Sequence, residues 1–191
     1  MDFSNFTTKS QLSIQSAQRL ASERENPYIE NAHILEGIYE QDDSVISFLL
    51  GKSGVNAEDI RRQVDTIMKS YPKASGASIT FSRDASRMLS YAQEIARSMK
   101  DSYVTIEHII IAMSRGNDEI SRLFHQNGII EKDLKVAIEQ LRKGQKANSP
   151  SQEDTYQSLE KYANNLNQMA RENRLDPVIG RDSEIRRVLQ I

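Results

Sequence analysis

The chain has 191 residues, with 25 Lys and Arg against 27 Asp and Glu, and therefore a formal net charge of −2. This length suits one domain of ordinary size with an appendage, and the balanced charge argues against binding to nucleic acid or to a membrane surface. Because the sequence contains no cysteine, disulfides, thiolate metal sites and cysteine nucleophiles are excluded.

The first six residues, Met1 to Phe6, lack the basic start and the apolar run of a signal peptide. No apolar stretch of the sequence approaches the length that a transmembrane helix needs. We therefore expect a cytoplasmic protein with no membrane partner.

The sequence repeats itself at an offset of 75 residues, which becomes 74 after one deleted position. Self-similarity at so long a period indicates a duplicated supersecondary unit. We expect two units of the same fold that pack as one domain, with a pseudo-two-fold axis, over residues 1–143. The aligned pairs include Phe6 with Phe81, Ala21 with Ala96, Tyr28 with Tyr103, His33 with His108 and Gly54 with Gly128.

Within each unit the apolar residues recur at three- and four-residue spacing, which is typical of amphipathic helices and not of strands. Helix starts are predicted where capping residues precede these stripes, and helix ends where glycine follows them. We expect an all-α domain of eight helices, four in each repeat. The predicted starts are Thr7 or Thr8, Asn31, Asn56, Ser82 and Thr105, and the predicted ends include Gly51, Gly54 and Gly128.

Residues 144–154 are mostly polar or charged and offer almost nothing to bury, which predicts a flexible linker. A further helical stripe runs from Tyr156 to Ala170, and another helix begins near Asp182 before the sequence stops at Ile191. We interpret residues 155–191 as the truncated start of a further module.

Several of these motifs resemble one known family. Phe6-Thr7 near the start, with His33-Ile34-Leu35 and Glu107-His108-Ile109 inside the repeats, resembles the double-repeat amino-terminal domain of the Clp family of AAA+ protein unfoldases. The tail looks like the start of the first AAA+ module, in the segments Glu153 to Tyr162, Leu175-Asp-Pro-Val-Ile-Gly-Arg-Asp182 and Glu184-Ile-Arg-Arg187. The resemblance covers the whole chain and fits the ClpB-like, disaggregase branch best.

The resemblance implies that Pro177, Val178 and Ile179 border the adenine of a nucleotide site in a complete AAA+ module, with ATP and Mg as cofactors of the full-length relative. The family's phosphate-binding loop, G-x-x-x-x-G-K-[ST], does not occur in these 191 residues. We therefore expect no catalytic residue and no ATP hydrolysis in this chain. The resemblance also implies a hexameric ring and a DnaK-type chaperone partner for the full-length relative, whereas this chain is expected to be a monomer.

The three histidines are His33, His108 and His125. A metal or proton-transfer site is one interpretation of the two repeat-equivalent ones. However, each lies near a predicted helix start with no second histidine four residues on, and a structural imidazole that hydrogen-bonds the neighbouring loop needs nothing more. We favour the structural role and expect no metal.

Two apolar residues, Leu12 and Tyr91, lie off the core stripes of their helices. By the repeat offset Tyr91 corresponds to Ser16, one helical turn from Leu12, so both repeats present this face. An exposed apolar groove between the repeats would bind unfolded segments with little sequence preference. The alternative is that both side chains only seal the interface between the repeats.

The resemblance implies that client polypeptide is held in such a groove with polar residues at its edge, at the positions of Thr7, Asp101 and Glu107. Each also has a local explanation, since Thr7 suits a helix cap and Glu107 suits the positive end of a helix dipole. The implied function is the capture of misfolded or aggregated polypeptides for transfer to an ATP-driven ring.

The alternative function is the docking of an adaptor protein, as in the protease-partnered relatives, some of which read phosphorylated arginine through a Thr-Glu-His pattern in both repeats. This sequence departs from that pattern. The first copy is Asn31-Ala32-His33 and lacks the carboxylate, and the second, Thr105-Ile106-Glu107-His108, has an inserted residue. Phosphoarginine recognition is therefore not expected, because the carboxylate would pair with the guanidinium.

Overall fold

Helices form most of the computed structural model, which describes residues 2–74 and 78–154. The helices predicted beyond residue 154, and the predicted nucleotide-site residues Pro177, Val178 and Ile179, lie outside the described residues. Within the described ranges no helix is long and apolar enough to cross a bilayer. The helices are α1 (Thr8–Glu23), α2 (Asn31–Lys52), α3 (Ala57–Ser70), α4 (Arg83–Ser98), α5 (Ile106–Met113), α6 (Glu119–Gln126) and α7 (Glu131–Arg142), and the short strands are β1 (Tyr28–Ile29) and β2 (Thr80–Phe81).

Side-chain caps fix most of the helix starts. The Thr7 hydroxyl caps α1 and the Ser82 hydroxyl caps α4, each accepting from the backbone N–H three residues later. Asn56 caps α3 by accepting from the N–H of Glu58. These starts and the start of α5 after Thr105 are confirmed, and Thr7 rather than Thr8 is the cap of α1. The prediction of Asn31 was wrong by one residue, because the cap of α2 is Glu30.

Helix α2 is two helical segments joined at a kink. Asp42 has φ −154° and ψ 77°, outside the helical region. Its carboxylate accepts from the Ser44 hydroxyl at 2.6 Å and from the Val45 N–H at 3.3 Å, and so caps the second segment. Counted as two, the segments of α2 give the first repeat four helices, which matches α4 to α7 in the second. The prediction of an all-α domain with eight helices is confirmed.

The two repeats exchange their amino-terminal strands. Phe6 of the first repeat pairs in parallel with Val104 of the second, and Phe81 of the second pairs in parallel with Ile29 of the first. Each pair is the image of the other under the offset of 75 residues. The N–H of Thr7 donates to the carbonyl of Val104, and the N–H of Ser82 donates to the carbonyl of Ile29, each at 3.0 Å. The reciprocal exchange ties the duplicated units into one domain.

One hydrophobic core runs through both repeats. Helix α1 packs on α2 and α4 packs on α5, while α2 with α7 and α3 with α6 join the repeats. Each fully buried Leu or Ile contributes roughly 1.5–3 kcal/mol. The largest fully buried side chains are Phe6, Ile34, Leu35, Ile38, Ile46, Leu49, Leu50, Ile60, Met68, Leu89, Ile95 and Phe124.

Residues 144–154, which we name the strap, differ from the predicted flexible linker. The carbonyl of Ala147 accepts from the N–H groups of Ser102 and Tyr103, both at 3.0 Å, and the carbonyl of Pro150 accepts from the Thr8 N–H at 2.8 Å. Ala147 is 0% exposed and Glu153 is 1% exposed. Composition misses this packing because the strap is held mainly by polar contacts and buries only one small and one acidic side chain.

Candidate functional site

The predicted site residues fall into two groups in the structure. Leu12 lies on the outer face of α1 and is 40% exposed. Tyr91, on the equivalent helix α4, is half-buried and packs against the core. Thr7, Asp101 and Glu107 are buried and lie together. Accordingly, the apolar pair reaches the surface, whereas the polar trio does not form an open groove edge in this conformation.

Arg142 links two members of the buried polar trio, Asp101 and Glu107, to Thr105. Its Nε lies 3.1 Å from Oε1 of Glu107, its Nη1 contacts Oδ2 of Asp101, and its Nη2 donates to the Thr105 hydroxyl at 2.9 Å. A buried guanidinium between two carboxylates offsets part of their desolvation. The polar cluster, by which we mean Thr7, Asp101, Thr105, Glu107, His108, Arg142 and Glu153, therefore joins α5 to the end of α7.

Asp101 keeps its charge in this cluster. Burial alone would raise the pKa of its carboxyl, but hydrogen bonds from His108, from the Ala147 N–H and from Arg142 outweigh burial and lower the pKa to about 2. Its Oδ1 accepts from the Ala147 N–H at 2.9 Å. Asp101 consequently anchors one end of the strap.

Glu153 closes the other end of the cluster. Its Oε1 accepts from the Thr7 hydroxyl at 2.8 Å and from the Ile106 N–H, in the first turn of α5, at 2.9 Å. Its Oε2 and the Oε2 of Glu107 are both buried without a hydrogen-bond partner among the described residues. Burial, together with the nearby Glu107, raises the pKa of Glu153 to about 8. Glu153 is accordingly held mainly as the neutral acid at pH 7.

The two repeat-equivalent histidines have structural roles. Nδ1 of His33 accepts from the Glu30 N–H and Nδ1 of His108 accepts from the Thr105 N–H, each at 3.0 Å, so that each imidazole caps its own helix. Burial lowers the pKa of His33 to about 4. In residues 2–74 and 78–154 no group of three or more His, Cys, Asp or Glu could hold a metal ion.

Arg142 and Glu153 were not predicted as members of this site. Arg142 carried a signal, since it lies four residues after Ile138 and eight after Leu134 on the buried stripe of α7, where a charged residue needs a partner. Glu153 carried no such signal, because nothing in a polar segment marks which carboxylate will be buried.

Comparison with known proteins places the chain in a family. The Clp repeat (R) N-terminal domain family matches residues 5–127. The chaperone protein ClpB of Bacteroides thetaiotaomicron is 46% identical over 191 residues, which are 100% of this chain and 22% of that protein. ClpB of Porphyromonas gingivalis is 43% identical over the same share of each. The chain thus spans about a fifth of the length of these relatives.

Solved structures share the fold. The Hsp104 N-terminal domain from Candida albicans matches with a TM-score of 0.68 and 24% identity, over 78% of this chain and 98% of that chain. A complex of a ClpV N-domain with VipB peptide matches with a TM-score of 0.60 and 18% identity, over 72% of this chain and 86% of that chain. With its duplicated helical unit and its similarity to ClpB over the whole sequence, the chain belongs to the Clp repeat N-terminal domain family.

Proposed function

We propose that this domain binds exposed hydrophobic segments of misfolded or aggregated polypeptides and passes them to the ATP-driven ring of a ClpB-like disaggregase. The observation that carries the proposal is the exposure of Leu12 on α1. The other large apolar side chains of this helix, Ile14 and Leu20, face the core, so Leu12 contributes little to folding and is available for binding. Tyr91 occupies the neighbouring turn of the same face in the second repeat.

The physical basis is the burial of apolar surface. Covering a leucine side chain contributes about 1.5–3 kcal/mol and requires no particular client sequence. One such contact binds weakly, but several domains around one ring raise the effective concentration of sites for the same client. We extend the proposal to a hexameric full-length protein that uses ATP and Mg, with Pro177, Val178 and Ile179 beside the adenine, and that cooperates with a DnaK-type chaperone system.

Substitution of the exposed leucine tests this proposal. The measurement is the affinity of the 191-residue chain for reduced, alkylated α-lactalbumin carrying a fluorescent label, followed by polarisation. Leu12→Ser is expected to weaken binding about tenfold, the factor that corresponds to 1.4 kcal/mol. Val136→Ser is the control, because Val136 is 49% exposed on α7. An equal effect of both substitutions would contradict the proposal.

A second candidate function is the docking of a defined segment of an adaptor protein, as in a protease-partnered Clp unfoldase. The ClpV N-domain in complex with VipB peptide, which shares this fold, favours it. Binding that requires one particular peptide sequence, and that ignores unfolded lactalbumin, would support adaptor docking over general capture of unfolded chains.

A further inference from the structure

The strap reaches across both repeats, and its buried contacts fall at three places. At Ala147 its backbone bonds to Asp101, Ser102 and Tyr103 of the second repeat. Three residues later the carbonyl of Pro150 accepts from the N–H of Thr8, at the start of α1 in the first repeat. The side chain of Glu153 then enters the polar cluster. The strap therefore covers Thr7 and Glu107, two of the residues that the family resemblance assigns to client contact.

Comparison of the repeats shows what Glu153 replaces. In the first repeat the carboxylate of Glu30 accepts from the backbone N–H of His33 in the first turn of α2 and hydrogen-bonds the hydroxyl of Ser82. In the second repeat the offset of 75 puts Thr105 at the position of Glu30 and Thr7 at that of Ser82.

In the second repeat, the position equivalent to Glu30 therefore holds a hydroxyl, that of Thr105, and not a carboxylate. The Thr105 hydroxyl accepts from Nη2 of Arg142 and from the backbone N–H of His108, so that Thr105 caps α5 as Glu30 caps α2. Glu153 from the strap accepts from the Thr7 hydroxyl, the counterpart of Ser82, and in addition from the Ile106 N–H. The Ser82 hydroxyl therefore has its carboxylate partner, Glu30, within the repeats, whereas the Thr7 hydroxyl takes its carboxylate partner, Glu153, from a segment outside them.

Polar contacts hold the strap on the domain, and apolar burial adds little to them. Ala147 is its one buried apolar side chain, and a methyl group contributes only about 0.8 kcal/mol on burial. Glu153 enters beside a second carboxyl group, Glu107, and leaves one oxygen of each without a partner among the described residues. Both features lower the free-energy cost of lifting the strap.

We propose that the strap is an intramolecular cover, which occupies the polar cluster in cis and is displaced by an extended client polypeptide. This inference rests on the proposed function and concerns its regulation. Backbone carbonyl oxygens of the client take the places of the Pro150 carbonyl, on the Thr8 N–H, and of the Glu153 oxygen, on the Thr7 hydroxyl and the Ile106 N–H. A peptide carbonyl is neutral, so it lies beside Glu107 without charge repulsion. Recognition through backbone atoms also requires no client sequence.

Two variants of the 191-residue chain test the cover. In the undocked variant, Ala147→Glu with Glu153→Ala, a carboxylate is forced against Asp101 and the acceptor of Thr7 is removed. In the docked variant, Glu153→Gln, the amide oxygen still accepts from Thr7 and Ile106 but carries no charge. Circular dichroism checks that each variant folds, and Glu153→Ala alone takes the place of the double variant should the latter not fold.

Hydrogen exchange reports the position of the strap, and polarisation reports binding to labelled, unfolded lactalbumin. In the undocked variant the amides of Thr8, Ser102 and Tyr103 should exchange at least tenfold faster, and the affinity should rise three- to tenfold. In the docked variant the exchange rates of these amides and the affinity for lactalbumin should stay at or below those of the unchanged chain. A synthetic peptide of residues 144–154 should restore slow exchange when added to the undocked variant.

The failures of the two proposals are distinguishable. Faster exchange with unchanged or lower affinity would overturn the cover, while a tenfold effect of Leu12→Ser in the same background would leave the proposed function intact. Unchanged exchange in the undocked variant would also overturn the cover, since it would show that Ala147 and Glu153 do not hold the strap. Loss of the Leu12 effect in every background would instead refute the proposed function.

Discussion

His108 contacts the carboxylate of Asp101, whereas the equivalent histidine of the first repeat contacts a neutral amide. Nε2 of His108 lies 3.0 Å from Oδ2 of Asp101, and in the first repeat Nε2 of His33 lies 3.0 Å from Oδ1 of Asn26. These pairs are related by the offset of 75 residues. Arg142, which contacts Asp101, corresponds to the buried Met68 at the offset of 74. The duplication therefore kept the geometry of the imidazole and placed a charged network in one copy only.

Removal of the Asp101 charge should destabilise the domain. Asp101→Asn keeps the shape of the side chain but removes one of the carboxylates that pair with the buried Arg142, which we expect to cost about 3 kcal/mol. Urea denaturation followed by circular dichroism measures the loss. Asp84→Asn on α4 is the matched control, because its exposed pair with Arg87 contributes roughly 0–1 kcal/mol. A similar small loss in both variants would show that the charged network adds nothing to stability.

Docking of the strap should weaken as the pH rises. The pKa of Glu153 is raised from 4.5 to about 8 in the docked state, so its contribution is fully present below about 4.5 and is lost as the pH rises through about 8. Hydrogen exchange at Thr8, corrected for the intrinsic pH dependence of exchange, measures docking between pH 5 and pH 9. The charged groups that face this site are Glu107 on α5 with its partner Arg142 on α7, Lys9 on α1 with its partner Asp42 on α2, and Asp154 on the strap.

The variant Glu153→Gln isolates the origin of this pH dependence. With no ionisable group at position 153, protection of the Thr8 amide should be independent of pH over the same range. If the variant keeps the full pH dependence of the unchanged chain, the titrating group is not Glu153.

The close approach of α1 to α2 should make one glycine irreplaceable. A Cβ on Gly37 would collide with the backbone carbonyl oxygen of Ser13, so Gly37→Ala should cost about 1–3 kcal/mol or more through overpacking. In contrast, Gly51 in the same helix has nothing within 4 Å of such a Cβ. Gly51→Ala should therefore stabilise the domain by roughly 0.5–1 kcal/mol. Thermal unfolding of both variants tests the pair, and a stabilising Gly37→Ala would contradict this packing.

The sequence was informative where structure is local or periodic. The duplication, the helix starts at Thr7, Ser82 and Thr105, and the helix ends at Gly54 and Gly128 could be predicted, because caps and apolar stripes act over a few residues. The predicted end at Gly51 was wrong, since Gly51 lies inside α2. The left-handed backbone of Gly54 and Gly128, with φ of 75° and 72°, agrees with the predicted helix ends.

The contacts between distant segments could not be predicted from the sequence. The exchanged pairs at Phe6 and Phe81 involve one or two residues each, too few for any alternation to show. The burial of Glu153 depends on donors at Thr7 and Ile106, which lie far from it in the sequence. The predicted role of Thr7, Asp101 and Glu107 in client contact rests on the family resemblance, and their burial under the strap links that role to the displacement of the strap.

The most direct test of the central claim is a titration of the 15N-labelled chain with unfolded, alkylated α-lactalbumin, followed by amide chemical shifts. The account predicts that the shifts concentrate on the outer faces of α1 and α4, around Leu12 and Tyr91. Shifts confined to the charged surface of α3 around Arg61 and Arg62, with α1 and α4 unchanged, would contradict it.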